Sequence, residues 1–333
     1  MRWLAGLVGA AALGALGAVL WWQATPAPLA ARFAMEACQR VALTDGSGRE
    51  ITGIEDIALR PDGALLLSAH DRLDPAEPDG GIYEYRIGGA QRPTSLVDPE
   101  ALPGGLRPHG ITLTPDGFAF VNRAREGGPV HLVYGPAPVA TPLPEAANDL
   151  ALIGGKMLFT ADRMAAGWRA IAERIGLIWS GAIVEAPLSD DIRPGQSFWI
   201  SPLPVTDLAH ANGIAVGPGG YVVAETRAAR LRFADGTRLA LPGGPDNLTP
   251  TPGGVIAALH PSLIRLALYR FGWAPRAPSR IVAIDFATRA VEILFDDPAG
   301  AVFSGATVAV LSEGRLVLGS VRDAGLLICE GGA

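Results

Sequence analysis

Lysine and cysteine are almost absent from this sequence of 333 residues. Lys156 is the only lysine, so arginine supplies nearly all of the positive charge, and the formal net charge is −6. No basic stripe is present, which argues against a nucleic-acid partner. The apolar fraction of 49% argues against a disordered chain, while 42 glycines and 28 prolines indicate many tight turns. The composition favours a folded protein of short strands and turns.

A motif that occurs six times organises most of the sequence. Each copy has a polar pair, an alternating apolar run, a glycine-bearing turn and, in most copies, a second apolar run, which together indicate a β-hairpin. The pairs, called polar motifs here, are Glu55-Asp56, His109-Gly110, Asn148-Asp149, Asn212-Gly213, Asp246-Asn247 and Ala306-Thr307. A period of about 50 residues predicts an all-β, six-bladed β-propeller with one hairpin unit per blade. The shared register predicts that the polar motifs meet at one end of the central channel.

The N-terminal segment predicts export. An uncharged run from Trp3 to Gln23 follows Met1-Arg2. A run of about 20 apolar residues can span a bilayer as a helix, and Arg2 favours a cytoplasmic N-terminus. A cleaved signal peptide is the alternative. We predict a signal anchor or signal peptide over residues 1–24, a linker over 25–37 and the propeller domain over 38–333. The protein would be membrane-anchored, periplasmic or extracellular.

The two cysteines lie near the two ends of the predicted propeller, at Cys38 and Cys329. In an exported protein an even pair predicts a disulfide bond. The first and last strands of a propeller meet to close the ring, so this bond would secure the closure. Two unpaired buried thiols are the alternative.

Two stretches depart from the β pattern. Apolar residues recur at helical spacing in 163–181 and in 260–273, which predicts one or two helical insertions between strands. The insertions either pack their apolar faces on the propeller, or cover the channel mouth or touch a membrane.

The polar motifs are rich in oxygen donors. The donors are Glu55, Asp56, Asn148, Asp149, Asn212, Asp246 and Asn247, and His109 is the only imidazole among them. A mixed set of carboxylates and amides suits Ca²⁺, whereas zinc favours more nitrogen or sulfur. Strand alternation separates the first residues of the motifs from the second, which allows two ion positions. Local hydrogen bonding of Asn and Asp at strand starts is the alternative.

These motifs, in this order and spacing, resemble the paraoxonases, a family of calcium-dependent lactonases and arylesterases with a six-bladed propeller. The resemblance runs from about Cys38 to Glu330. It is carried by Gly53-Ile-Glu-Asp-Ile, His109-Gly-Ile, Asn148-Asp149, Ala211-Asn-Gly-Ile, Asp246-Asn247, Ser304-Gly-Ala-Thr-Val-Ala and Leu327-Ile-Cys-Glu.

The resemblance implies a small lactone or ester as substrate and two calcium ions. The catalytic calcium would be held by Glu55, Asn148, Asn212, Asp246 and Asn247. The structural calcium would be held by Asp56, Asp149 and the main-chain carbonyl of Ile111. The resemblance further implies that His109 activates water and that Cys38–Cys329 is the disulfide of the family.

One departure from the family weakens the expected proton relay. The family places a second histidine in a Val-Asn-His-Pro context, where this sequence has Val121-Asn122-Arg123-Ala124. Arginine cannot accept a proton at accessible pH. His70 and Asp71, which follow a predicted strand of the first blade, are hypothesised to orient His109 instead.

Arg123, His70, Asp71, His260 and Thr307 form the predicted substrate pocket. The alternative functions are a gluconolactonase-like or strictosidine-synthase-like enzyme and a non-catalytic, calcium-stabilised propeller that binds a partner. The sequence indicates neither the acyl-chain preference nor the oligomeric state.

Overall fold

The computed structural model describes residues 13–17, 25–72, 79–102, 104–123, 130–135, 139–143, 146–174, 176–187, 201–202 and 205–331. Within these residues the chain forms six antiparallel sheets of four strands each. The innermost strands of successive sheets contact one another in a closed ring. The predicted all-β, six-bladed propeller is confirmed.

The first strand of the chain, β1 (Cys38–Val41), belongs to the last blade. Blade 1 contains β2 (Ile54–Leu59), β3 (Leu65–Ala69), β4 (Gly81–Tyr85) and β5 (Thr94–Ser95). Blade 2 contains β6 (Pro108–Thr114), β7 (Gly117–Arg123), β8 (Val130–Gly135) and β9 (Val139–Leu143). Blade 3 contains β10 (Ala147–Ile153), β11 (Lys156–Ala161), β12 (Ala182–Pro187) and β13 (Ser201–Pro202).

The second half of the chain supplies the other three blades. Blade 4 contains β14 (Ala211–Gly217), β15 (Gly220–Glu225), β16 (Arg230–Phe233) and β17 (Arg238–Ala240). Blade 5 contains β18 (Gly244–Thr251), β19 (Gly254–His260), β20 (Ser279–Asp285) and β21 (Val291–Asp297). Blade 6 contains β22 (Ala306–Ser312), β23 (Arg315–Ser320), β24 (Leu326–Cys329) and β1.

The last blade closes the ring with strands from both ends of the chain. Strand β1 pairs with β24 in antiparallel register, and Cys38 lies directly opposite Cys329. The two cysteines form a disulfide bond across 291 residues of sequence. The predicted disulfide is therefore confirmed, and it joins the first and last strands as the propeller topology requires.

The hydrophobic core is divided among the interfaces between blades. Each pair of neighbouring blades encloses one apolar cluster of the described residues, for example Leu67 and Val317 between blades 1 and 6. This division follows from the strand pattern, because an inner strand of a propeller is covered on both faces by other blades. The polar motifs lie at the channel end of the innermost strand of each blade.

A β-bulge lies at every polar motif. The strand pairing of the innermost hairpin shifts register within the following pairs: Ile54/Asp56, Pro108/Ile111, Ala147/Leu150, Ala211/Ile214, Pro245/Leu248 and Ala306/Val308. A bulge places two residues opposite one and bends the strand, so strict alternation ends there. The oxygen donors at both motif positions are buried, and their separation into two ion positions stays a prediction.

The described helices are few and short. The α-helices are α1 (Trp168–Arg174) and α2 (Leu263–Arg270), and the 3₁₀ helices are Met35–Ala37, Pro99–Ala101 and Thr226–Ala228. Helices α1 and α2 lie in the two predicted insertions. Ser262 caps α2, because its hydroxyl accepts from the main-chain N–H of Arg265 at 3.3 Å. Both insertions leave large apolar side chains in solvent, including Trp168 and Trp273.

The N-terminal predictions have different outcomes. Residues 1–12 and 18–24 of the predicted anchor lie outside the described residues, and residues 13–17 are helical. Among the residues that the structure describes, no helix is both long and apolar enough to span a bilayer. Within the predicted linker, Phe33 is buried and its N–H donates to the main-chain oxygen of Leu294 in blade 5, whereas most residues of 25–37 are exposed.

Candidate functional site

A cavity of about 590 Å³ lies at the end of the channel that carries the polar motifs. One residue of every motif lines it. These residues are Glu55, His109, Asn148, Asn212, Asp246 and Thr307. The structure thus brings together one side chain from each of the six blades, as the shared register of the repeats predicts.

A second set of cavity residues comes from the neighbouring strand in five of the six hairpins. Each of them directly follows the residue that pairs with the position just before the cavity-lining residue of a polar motif. They are Arg123, Asp162, Thr226, His260 and Val321. The predicted site does not include Asp162 and Thr226. Both occupy the same position in their repeats, and this recurrence could have identified them from the sequence.

Three amide oxygens of the polar motifs are buried without a hydrogen-bond partner among the described residues. They are the Oδ1 atoms of Asn148, Asn212 and Asn247. An unsatisfied buried polar atom destabilises the folded state by roughly 1–3 kcal/mol, so a cation bound to these oxygens would stabilise the protein. Together with the carboxylates of Glu55 and Asp246 they form a mixed oxygen set of the kind that Ca²⁺ prefers. The residues present therefore fit a calcium ion.

The carboxylates of Asp56 and Asp149 are buried beside this set without lining the cavity. The main-chain N–H of Ile111 donates to Asp56 at 2.8 Å, and that of Ile214 donates to Asp149 at 2.8 Å. Burial, with Asp246 nearby, raises the pKa of Asp56 to about 7. Burial and the charge of Asp56 raise the pKa of Asp149 well above its usual value. Carboxylates placed this close are costly to ionise unless a cation lies beside them.

The fit to a metal depends on the amides and on one competing cation. In the part of the chain that the structure describes, no three His, Cys, Asp or Glu side chains cluster closely enough to hold a metal. Arg72, which the predicted site does not include, contacts Oε2 of Glu55 through its Nη1 atom. The guanidinium of Arg72 partly neutralises the carboxylate of Glu55, which the predicted calcium would also bind.

His109 is buried at the cavity, next to a carboxylate. Its Nδ1 atom lies 3.2 Å from Oε1 of Glu55, and its main-chain oxygen accepts from the hydroxyl of Ser68 at 2.5 Å. Burial and the nearby guanidinium groups of Arg72 and Arg123 hold the pKa of His109 well below its usual value. The imidazole is therefore neutral at neutral pH and can accept a proton.

His70 and Asp71 lie elsewhere. They line a separate cavity of about 230 Å³ together with residues such as Tyr83 and Arg49, and they are not among the residues that line the larger cavity. The residue that contacts the His109 ring nitrogen is Glu55. The charge of His70 nevertheless helps to lower the pKa of His109, so the hypothesis that His70 orients His109 stays a prediction.

The other predicted pocket residues lie at the cavity with specific partners. His260 approaches Asp246 at 2.6 Å through Nε2, and the hydroxyl of Thr307 donates to the main-chain oxygen of Glu55 at 3.0 Å. Arg123 donates through Nε to the main-chain oxygen of Ala147 at 3.0 Å. The Thr307 contact connects blades 6 and 1, the Arg123 contact connects blades 2 and 3, and the His260 contact lies within blade 5.

His210 is a further cavity residue, which the predicted site does not include. Its backbone has a φ of 63°, a left-handed conformation that few residues other than glycine adopt. Its Nδ1 atom is buried without a hydrogen-bond partner among the described residues. A strained residue with an unpaired ring nitrogen at a cavity is typical of a functional position.

No protein-family model and no curated protein matches this sequence. Solved structures with a similar fold include the PQQ-bound form of aldose sugar dehydrogenase from Streptomyces coelicolor, with a TM-score of 0.53 and 14% identity over 88% of this chain and 96% of that one. A protein described as TolB from Agrobacterium tumefaciens has a TM-score of 0.48 and 15% identity, over 74% of this chain and 81% of that one. At 14% identity, the similarity to the sugar dehydrogenase structure supports the propeller fold and nothing beyond it.

Proposed function

We propose that this protein is a calcium-dependent hydrolase of lactones or related esters. The observation that carries the proposal is one cavity lined by Asn148 and Asn212, whose amide oxygens lack hydrogen-bond partners among the described residues, by the carboxylates of Glu55 and Asp246, and by a buried, neutral His109. The resemblance of the polar motifs to those of the paraoxonases supports the same assignment.

The polar motifs would hold two calcium ions. Glu55, Asn148, Asn212, Asp246 and Asn247 would bind the first, and Asp56, Asp149 and the main-chain oxygen of Ile111 would bind the second. When bound, the first ion would polarise the ester carbonyl and stabilise the charge that develops on its oxygen.

His109 would accept the proton of the attacking water. A proton on Nδ1 that faces the carboxylate of Glu55 leaves Nε2 as the accepting nitrogen. Arg123 cannot perform this step, because a guanidinium remains charged at accessible pH. Its contacts with Ala147 and Asp162 instead place a fixed positive charge at the cavity.

The proposal can be tested with the purified full-length chain. Proton release would be followed with γ- and δ-lactones, acyl-homoserine lactones and phenyl acetate, with and without a calcium chelator. We expect activity to disappear with the chelator and to return with Ca²⁺.

His109→Gln should lower kcat by roughly 10²–10⁴-fold, as expected for loss of a general base. His131→Gln, which changes a buried histidine of β8 away from the cavity, should leave the rate unchanged. Chelator-resistant activity, or a wild-type rate in His109→Gln, would contradict the proposal.

A second candidate function follows from the contact between Arg72 and Glu55. A guanidinium in place of the first calcium would make the protein a non-catalytic propeller that presents its channel end to a partner. Titration with Ca²⁺ in a calorimeter separates the two functions. Heat of binding with micromolar affinity in wild type favours the hydrolase, and heat that appears only in Arg72→Gln favours the binding protein.

The disulfide supports export, because such bonds persist in oxidising compartments. Residues 1–24 would serve as an anchor or as a signal peptide in a periplasmic or extracellular location. Sequencing of the mature N-terminus from membrane and soluble fractions distinguishes these two roles.

A further inference from the structure

Arginine dominates the charge of the cavity. Five arginines line it: Arg72, Arg123, Arg163, Arg227 and Arg270. Three carboxylates line it: Glu55, Asp162 and Asp246. The cavity lining therefore carries two more positive than negative charges, although the chain as a whole has a net charge of −6.

The arginines reach the cavity from five different blades. Four of them lie at the end of the second strand of a blade or within three residues after it, at Arg72, Arg123, Arg163 and Arg227. The fifth, Arg270, is the last residue of α2, which is inserted in blade 5. A recurring position in the repeat thus places positive charge around one opening, which a random distribution of surface arginines would not do.

The arginines divide into two groups by their partners. Arg72 contacts Glu55, Arg123 lies 3.6 Å from Asp162, and Arg227 donates to the main-chain oxygen of Glu173 at 2.7 Å. Within the described ranges, Arg163 and Arg270 have neither an ion pair nor a hydrogen bond from the guanidinium. Both side chains are exposed to the cavity opening. These two groups can therefore bind a ligand without breaking an existing contact.

The arginines are also close enough to repel one another. Burial, with the charges of Arg123 and Arg270, lowers the pKa of Arg72 well below its usual value. The charge of Arg270 likewise helps to lower the pKa of His109. Like charges held together in a partly enclosed cavity raise the free energy of the empty site, and an anion that binds there lowers it.

We infer that the cavity selects substrates that carry an anionic group, a carboxylate or a phosphate, and that Arg163 and Arg270 bind this group. The inference rests on the proposed function for the ester part of the substrate, because the anionic group would anchor the molecule while its carbonyl lies over the polar motifs. Planar guanidinium groups suit both anions, since they offer paired N–H donors to two oxygens.

The first test measures anion binding without turnover. Inorganic phosphate and glutarate would be titrated calorimetrically into wild type, Arg163→Gln, Arg270→Gln and the control Arg238→Gln, which changes an exposed arginine of β17. We expect wild type to bind at least one anion and each cavity variant to bind it at least about fivefold more weakly, with the control within about twofold of wild type. Equal affinity in all four proteins, or no binding to wild type, would overturn the inference. The two titrations distinguish a phosphate site from a carboxylate site.

The second test measures selectivity. We would compare kcat/KM for γ-butyrolactone with kcat/KM for the same ring carrying a γ-carboxylate or a γ-phosphomethyl group. Arg163→Gln should lower the value for the preferred anionic lactone about tenfold and change that for the neutral lactone less than about twofold. A preference of wild type for the neutral lactone would overturn the inference.

The two tests separate failure of the inference from failure of the proposed function. Anion binding that Arg163→Gln and Arg270→Gln weaken, with no turnover of any lactone, would support the anion site and refute the hydrolase. Calcium-dependent turnover of neutral lactones with no anion binding would support the hydrolase and refute the anion site.

Discussion

Asn212→Ala should separate a cation site from a polar cluster that only stabilises the fold. Asn212 is 8% exposed, and its Oδ1 atom has no hydrogen-bond partner among the described residues. Its removal breaks no hydrogen bond, so in the presence of a chelator we expect the free energy of unfolding to change by less than about 1 kcal/mol. The variant should differ from wild type mainly when calcium is present.

The expected size of the calcium effect follows from mass action. A ligand that binds only the folded state at 100 times its Kd stabilises the protein by about 2.7 kcal/mol. Wild type should gain this amount, and Asn212→Ala should lose most of it because one of five oxygen ligands is gone. Urea unfolding at matched calcium concentrations, with and without chelator, measures both quantities.

Asn122→Ala is the matched control. Asn122 is a buried asparagine of blade 2 whose side chain is fully used: Oδ1 accepts from the N–H of Arg107 at 2.6 Å, and Nδ2 donates to the main-chain oxygen of Gly105 at 3.0 Å. Its removal should cost about 1–3 kcal/mol in chelator and in calcium alike. The reasoning is refuted if Asn212→Ala behaves like this control, with a large loss of stability that calcium does not affect.

Three further predictions concern the closure of the ring, the packing of the blades and the buried carboxylates. Replacing both Cys38 and Cys329 by Ser should lower the free energy of unfolding by up to about 5–6 kcal/mol, since the bond closes a loop of 291 residues, and an unchanged urea midpoint would contradict this. Gly213→Ala should cost about 1–3 kcal/mol, because its Cβ would lie 2.5 Å from a main-chain oxygen of blade 5, whereas Gly46→Ala meets no atom within 4 Å and serves as control in thermal unfolding. In chelator, wild type should lose stability relative to Asp56→Asn as pH rises from about 4 to about 7, because the folded-state pKa of Asp56, about 7, lies above its usual 3.8 and the folded protein retains a proton that the unfolded chain has released. A pH-independent difference between these two proteins in urea titrations would exclude that carboxylate as the cause.

The sequence and the structure agree on features that depend on local patterning. Alternation and glycine turns are properties of single hairpins, so the six repeats were sufficient to predict six blades. The register of the polar motifs was sufficient to predict that Glu55, Asn148 and Thr307 reach one cavity, because rotation about an axis preserves register. The pairing of Cys38 with Cys329 followed from the closure of such a ring.

Other features depend on strand pairing and side-chain packing within a blade. The bulges at the polar motifs, the contact of Arg72 with Glu55 and the position of His70 in a separate cavity were not predicted. Alternation within a single strand carries no signal for any of them.

The sequence by itself determined the blade count, the closure and the arrival of the polar motifs at the channel end, because these follow from periodicity along the chain. Only the tertiary structure decided which polar atoms have partners there. The amide of Asn247 donates to the main-chain oxygen of Glu55, which lies 192 residues away in sequence, while its own oxygen has no hydrogen-bond partner among the described residues. The same packing brings five arginines from five blades around one opening. Hydrogen bonding and charge repulsion act over a few ångströms, so they are set by distances across the channel that only the assembled ring of blades defines.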